Sequence, residues 1–180
     1  MVPFLVLPLR AEPVTLLALG DSLTQGYGLP QADGFVPTLE TWLIERGVEV
    51  EVINGGVSGD TTAGGAARIG WSLTPEVDAV VVALGGNDLL RGIEPGETKA
   101  NLDAILREVT GRGLPALLVG MEATGNYGAS YKAAFDALYP DLAKEYGVPL
   151  FPQFLLGLVE MEFRQAVVRD YLQPDGTHPN

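Results

Sequence analysis

The sequence has no cysteine, a single histidine, and fewer than half as many basic residues as acidic ones, 11 Lys and Arg against 23 Asp and Glu. Without cysteine there is no thiol nucleophile, no disulfide and no thiolate metal site, although the compartment stays open, because reduced and exported proteins alike can lack it. The shortage of basic side chains leaves a formal net charge of −12. Such a surface repels phosphate backbones and anionic headgroups, so nucleic acid is not an expected partner. There is also no run of ~20 apolar residues, which excludes stable insertion as a membrane-spanning helix. What is present is an ordinary globular composition, 47% hydrophobic and 19% charged, in 180 residues. A chain of this length suits one domain and buries roughly 70% of its unfolded surface, enough for a core without metal or disulfide staples.

Residues 2–9, Val-Pro-Phe-Leu-Val-Leu-Pro-Leu, are apolar and precede Arg10, Ala11 and Glu12. They read as the back half of a secretory signal peptide cleaved after Ala11, or as a flexible N-terminal extension. The first reading lacks a basic n-region and carries Leu9 where a small residue is preferred; a start site placed too far downstream would explain both. Residues 1–12 are therefore set apart from a single domain over 13–180. The expected location is periplasmic or secreted, with the cytoplasm as the alternative.

Val14 to Leu19 is a continuous apolar run ended by Gly20, the pattern of a strand buried on both faces of a parallel sheet. Phe35, Val36, Leu39, Trp42 and Leu43 then recur at helical spacing, with Pro37 tolerated in an early turn and Gly47 as the stop. Val48, Val50 and Val52 alternate with Glu49 and Glu51, which predicts a half-exposed strand near a sheet edge, stopped by Asn54-Gly55-Gly56. Ala79 to Leu84, closed by Gly85-Gly86, predicts a central strand, and Leu102, Ile105, Leu106 and Val109 a helix ended by Gly111. Ala116 to Met121 and Val148 to Phe151 are the fourth and fifth strands. Between them Tyr131, Phe135, Leu138, Leu142 and Tyr146 share a helical face that Pro140 is expected to kink or break. Alternating strands and helices predict an α/β fold, a three-layer α/β/α sandwich around a five-stranded parallel sheet, with ligands beyond the strand C-termini. Trp42, Trp71 and the tyrosines of the 131–146 helix are expected to be packing residues.

Three polar clusters follow three of these strands: Gly20-Asp21-Ser22, Ser58-Gly59-Asp60 and Gly86-Asn87-Asp88. All should crowd one rim. Serine attacks a carbonyl at neutral pH only with a neighbouring base, and imidazole suits that task. The one histidine, His178, lies in Asp175-Gly176-Thr177-His178, close enough for the Asp175 carboxylate to accept from the imidazole and fix its tautomer. Taken alone, such a histidine reads as a solvated residue and Asp-Gly-Thr as a turn. Joint occurrence gives the pieces force, because Gly59 and Asn87 add the donors that a developing oxyanion needs.

On these residues the chain resembles the GDSL, or SGNH, hydrolases, named for Ser, Gly, Asn and His in four sequence blocks. Gly20-Asp21-Ser22-Leu23, Gly59 within Ser58-Gly59-Asp60-Thr61, Gly85-Gly86-Asn87-Asp88 and Asp175-Gly176-Thr177-His178-Pro179 are similar to those blocks and stand in order. The intervening text, with Gly-Asn-Tyr-Gly at 125–128 and Tyr-Pro-Asp-Leu-Ala-Lys at 139–144, is most similar to the bacterial multifunctional thioesterase, arylesterase and lysophospholipase branch. The resemblance implies a flavodoxin-like sandwich and a serine esterase acting on small carboxylic ester or thioester substrates through an acyl-enzyme, with no metal and no organic cofactor. It assigns Ser22 as nucleophile, His178 as base and Asp175 as orienter, with the Ser22 and Gly59 N–H groups and the Asn87 amide as oxyanion hole. Asp21, Glu122, Asn126 and Tyr127 are the candidate substrate contacts, the last three in a stretch that forms a mobile loop beside the acyl pocket in relatives. Family members usually continue past His-Pro-Asn into a final helix, so either the sequence is a fragment or the His178 segment is less braced than usual, and the oligomeric state is left open.

Three rival readings use the same residues. A carbohydrate O-deacetylase would employ the same triad in a different pocket. Asp21, Asp60 and Asp88 with His178 would suit Mg²⁺ or Mn²⁺, although Asp60 and Asp88 read better as loop braces. A flavodoxin-like module would cradle phosphate on the Gly20–Gly26 loop, which has no basic residue. Tyr27, Leu29 and Pro30 follow the nucleophile and either border the substrate entrance or, the reading preferred here, fill a surface loop.

Overall fold

The computed structural model describes residues 12–159, 161 and 164–180; the apolar segment 2–9 lies outside them. Its framework is a parallel sheet of β1 (Val14–Gly20), β2 (Val50–Gly56), β3 (Ala79–Ala83), β4 (Ala116–Val119) and β5 (Leu150–Phe151), in the order β2-β1-β3-β4-β5. The helices are α1 (Ser22–Gln25), α2 (Phe35–Ile44), α3 (Thr62–Ser72), α4 (Gly86–Leu90), α5 (Pro95–Gly111), α6 (Ala129–Tyr146), α7 (Leu156–Val159) and α8 (Arg164–Tyr171).

The strand side chains divide by their period of two. Leu17, Leu19, Val80, Val82 and Leu118 point into the larger core layer, where they meet Ile69 of α3, the Leu102, Ile105, Leu106 and Val109 stripe of α5, and Phe135, Leu138 and Leu142 of α6. Ala18, Val50 and Val52 point the other way, onto Val36, Phe35, Leu39 and Leu43 of α2. On that second face Val81, Ala83 and Val119 are covered by Phe154, which follows β5. The α5 stripe has no exposed surface, and truncating one of its leucines to alanine costs about 2–5 kcal/mol through lost transfer energy plus a cavity.

The strand order places the site. Chain leaving β1 goes outward to β2, whereas chain leaving β2 crosses back to β3 on the other side of β1. The loops after β1 and β3 therefore diverge, and the crevice between them is where such sheets bind ligands. Ser22 opens the loop after β1 and Asn87 lies in the helix after β3.

Several expectations need correction. Pro140 neither kinks nor ends its helix, which runs unbroken from Ala129 to Tyr146. The ring lies on the exposed face, while buried Tyr139 and Leu142 anchor the helix on either side of it. Trp42 and Trp71 are not core residues, being 50% and 72% exposed. Trp42 instead carries the Arg46 guanidinium 3.8 Å above its ring. Val48 precedes β2 and is exposed, and β5 is only two residues long. Helix α3 went unpredicted because its sequence, TAGGAARIGWS, carries three glycines, the poorest helix formers after proline. Its glycines serve close approach: a Cβ on Gly65 would stand 2.3 Å from Leu84 Cδ1, and one on Gly64 1.7 Å from Asp60 Oδ1.

Candidate active site

Strand β1 ends at Gly20, where any side chain would collide with Thr24, a Cβ standing 1.9 Å from its Oγ1. Asp21 then turns inward, 2% exposed, and its Oδ1 accepts from the Leu23 N–H at 3.0 Å. That bond caps α1, whose first residue is Ser22. Gly26 ends the helix in the left-handed region at φ 82° and folds the following chain back beside Ser22.

His178 comes to Ser22 from the far end of the sequence, its Nε2 2.8 Å from Ser22 Oγ. Its Nδ1 lies 2.6 Å from Asp175 Oδ2. Asp175 is held as a tight turn: Oδ1 accepts from the Thr177 N–H at 2.9 Å and the His178 N–H at 3.0 Å. Those donors, the His178 N–H first, then its side chain and the Thr177 N–H, lower the Asp175 carboxyl to about 2. An ionised carboxylate only accepts, so Nδ1 carries the ring proton and Nε2 offers its lone pair to the Ser22 hydroxyl. The segment is anchored from several sides. Gln173 Nε2 donates to the carbonyls of Tyr27 and Pro179 at 2.7 Å each, the Gln173 N–H donates to the His178 carbonyl at 2.7 Å, and Leu172 bridges Pro179 antiparallel. The Tyr27 ring packs against the imidazole with centroids 4.8 Å apart.

The donors expected for an oxyanion lie on two further loops. Ser22 is the first residue of a helix, so its N–H has no acceptor within that helix. Gly59 is exposed in the turn after β2 at φ 80°, a left-handed conformation that favours glycine, and its carbonyl accepts from Arg91 Nη2 at 2.8 Å. Asn87 Nδ2 donates to Asp21 Oδ2 at 3.4 Å, and an acceptor-only partner fixes which way that amide faces. Burial raises the Asp21 carboxyl, against the lowering influence of the Leu23 N–H, His178 and Asn87.

The other rim carboxylates are engaged as braces. Asp88 is fully buried and accepts from the Thr62 N–H at 2.8 Å, from the Thr62 hydroxyl, and from Thr98 at 3.4 Å, joining α4 to α3 and α5. Asp60 pairs with Arg68 Nε at 2.8 Å. Among the described residues no cluster of three or more metal-ligating side chains occurs, and the Gly20–Gly26 loop presents its serine to a histidine rather than leaving it open.

A recess of about 200 Å³ opens beside Ser22 and His178, walled by Tyr27, Leu29, Phe35, Phe154 and Pro179. Tyr27 and Leu29, expected to be loop filler, line it because Gly26 turns them back over Ser22, whereas Pro30 does not line it. Phe35 and Phe154 escaped sequence reading as site residues; the one reads as the start of an amphipathic helix and the other lies in an unassigned stretch. The substrate candidates lie elsewhere. Asp21 is buried beneath the rim, Glu122 pairs with Lys132 at 2.8 Å, Asn126 sits in a short 3₁₀ turn, and Tyr127 donates to the Leu90 carbonyl at 3.2 Å. A larger cavity of about 670 Å³ against α2 and the edge of β2 includes neither Ser22 nor His178.

The sequence model of the GDSL-like lipase/acylhydrolase family matches residues 18–180. The thioesterase 1/protease 1/lysophospholipase L1 of Escherichia coli K12 is 39% identical over 184 residues, covering 99% of this chain and 83% of that protein. The esterase TesA of Pseudomonas aeruginosa is 37% identical over 171 residues, covering 94% and 82%. Among solved structures, AlinE4, an SGNH-hydrolase family esterase, is 42% identical with a TM-score of 0.82, covering 92% of this chain and 88% of that one.

Proposed function

The chain belongs to the GDSL-like lipase/acylhydrolase family and is an ester-hydrolysing serine hydrolase; on that premise we propose that Ser22, His178 and Asp175 are its catalytic residues. The observation that carries the assignment is the pair of contacts at 2.8 and 2.6 Å that runs from Ser22 Oγ through the imidazole to Asp175. Ser22 attacks the acyl carbon while Nε2 takes its proton, and Asp175 holds the imidazolium that results. The oxyanion is received by the Ser22 and Gly59 N–H groups and the Asn87 amide. Collapse releases the alcohol or thiol, protonated by His178, and water then hydrolyses the acyl-enzyme with His178 again as base. Substrates are small carboxylic esters and thioesters of the kinds named in the relatives' thioesterase, arylesterase and lysophospholipase titles.

No helix among the described residues is long and apolar enough to cross a membrane. The apolar segment 2–9 supports an exported location.

The test is hydrolysis of a short-chain p-nitrophenyl ester, with EDTA throughout, by wild type and by Ser22→Ala and His178→Ala. Each variant is expected to lose about a thousandfold or more in kcat. Turnover by Ser22→Ala near the wild-type rate would defeat the assignment.

A further inference from the structure

We propose that the cavity between α2 and the edge of β2 is a second ligand site, and that it takes a protonated primary amine bearing hydroxyl groups, an amino alcohol or an amino sugar. This site lies apart from the ester chemistry at Ser22 and does not depend on it.

Strand β2 is at the edge of the sheet, where backbone N–H groups need acceptors other than a neighbouring strand. Glu40 of α2 supplies one, its Oε2 accepting from the Val52 N–H at 2.7 Å. That bond holds the carboxylate in the wall of a cavity of about 670 Å³, which Glu40 and Val52 both line. The second carboxylate oxygen has no hydrogen-bond partner among the described residues.

Three carboxamides, Gln25, Gln31 and Asn54, line the same cavity beside Val36 and Val52, and Glu40 is the one ionisable group among the lining residues. Two of the amides are partly engaged. Asn54 Oδ1 accepts from the Gly56 N–H at 2.9 Å, Asn54 Nδ2 donates to the Gln25 carbonyl at 3.4 Å, and Gln25 Oε1 accepts from the Ser58 hydroxyl at 2.8 Å. Gln25 Nε2 and the whole Gln31 amide keep their capacity. A carboxamide both donates and accepts, as a hydroxyl does, so the two are matched partners.

Charge and size set the class. With no Lys, Arg or His in the lining, a phosphate or carboxylate finds no counter-charge and meets repulsion from Glu40. The net charge of −12 draws cations toward the surface. An ammonium fills the vacant place on Glu40 with a charge-assisted hydrogen bond, which is stronger than a neutral one. A volume of about 670 Å³ falls within the range of about 300–1,000 Å³ usual for small-molecule sites, which admits a monosaccharide. The cavity shares Gly26 and Leu29 as a wall with the recess beside Ser22, yet includes neither Ser22 nor His178.

The test is a calorimetric titration paired with NMR spectra of the Gln25, Gln31 and Asn54 side-chain amides, at about pH 6, where aliphatic amines are protonated. Glucosamine and ethanolamine are the probes, and glucose and N-acetylglucosamine are the uncharged counterparts. Saturable binding of an amine should shift all three amides, and the tighter of the two amines identifies the source. The uncharged sugars should bind about tenfold more weakly or worse.

Glu40→Gln retains an acceptor for the Val52 N–H, so folding and ester turnover should stay as in wild type while amine binding weakens about tenfold or more. Glu45→Gln makes the same change of charge at an exposed position outside the cavity and should have no such effect. Gln31→Trp, also at an exposed position, should fill the cavity and abolish binding. Ser22→Ala should bind as wild type does. The absence of saturable binding by either amine would overturn the proposal, as would equal binding of glucose, equal effects of the two glutamate substitutions, or loss of binding in Ser22→Ala. Failure of the hydrolase assignment reads out separately, as ester turnover that survives Ser22→Ala.

Discussion

Arg68 and Gly20 are joined across the rim: Nη2 of Arg68 donates to the Gly20 carbonyl at 2.9 Å while its Nε holds Asp60 at 2.8 Å. One guanidinium, only 9% exposed, thus ties the peptide just before Asp21-Ser22 to the turn that carries Gly59. The proposed nucleophile Ser22 and the proposed oxyanion donor Gly59 sit on separate loops that this side chain bridges.

Arg68→Ala should therefore cost about 3–5 kcal/mol of stability, because it strands the half-buried Asp60 carboxylate without a partner. It should also lower kcat more than it raises KM. Lysine should not restore either property, since an ammonium cannot reproduce the forked donation to two acceptors. Chemical denaturation alongside steady-state kinetics checks both points, and full rescue by Arg68→Lys would show that charge alone suffices.

Asp175→Asn should leave the fold intact yet lower kcat about 10³–10⁴-fold. An amide can donate to the imidazole and so select the tautomer with the proton on Nε2, where it cannot accept from Ser22. Stopped-flow acylation with a p-nitrophenyl ester measures this. A loss under tenfold would mean that the turn acts only by positioning the ring.

The pH profile follows from the same pair. Asp175 is lowered to about 2, so it is ionised throughout the working range and contributes no limb above about pH 4. For stability the sign is that of a depressed carboxyl. The contribution is present above the unfolded value of about 3.9 and is lost as pH falls through about 2. Denaturation of wild type and Asp175→Ala compared between about pH 2 and 5 checks this, and parallel curves would exclude Asp175 as the source.

Tyr139 gives an alkaline prediction of opposite character. It is fully buried, donates to the Leu84 carbonyl at 3.0 Å, and burial raises its phenol well above the ordinary value. Above about pH 10 the unfolded chain loses this proton while the folded one keeps it, so the unfolded state binds fewer protons and stability falls as pH rises. Tyr139→Phe should abolish that part of the slope, at a cost of about 1 kcal/mol at neutral pH for the lost hydrogen bond. Melting curves from pH 8 to 11 would show it, and parallel slopes for the two proteins would exclude Tyr139 as the source.

Strands were legible where burial on both faces leaves an unbroken apolar run, as in Val14–Leu19 and Ala79–Leu84, and α5 where its stripe repeats at 3.6 residues. Helix α3 was not, because its glycines answer to Leu84 and Asp60, partners distant in sequence or in another element. The length of the apolar run did not show that β5 pairs over only two residues, nor did proline's local cost reveal that α6 continues through Pro140, where buried neighbours on both sides hold the helix. The tryptophans misled for a related reason: hydrophobicity says that a ring can be buried, and only packing says whether there is room.

By itself the sequence determined the family blocks, the parallel α/β framework and the chemical types available, because backbone periodicity and side-chain chemistry are local properties. Tertiary structure decided what touches what. It set His178 2.8 Å from Ser22 across 156 positions of chain, engaged Asp60 and Asp88 as braces, and brought Tyr27, Phe35 and Phe154 from three separate segments into one recess. Such meetings depend on strand order and on how layers pack, and apart from Asp60 with Arg68 and Asp88 with Thr98 no short stretch of sequence contains both partners.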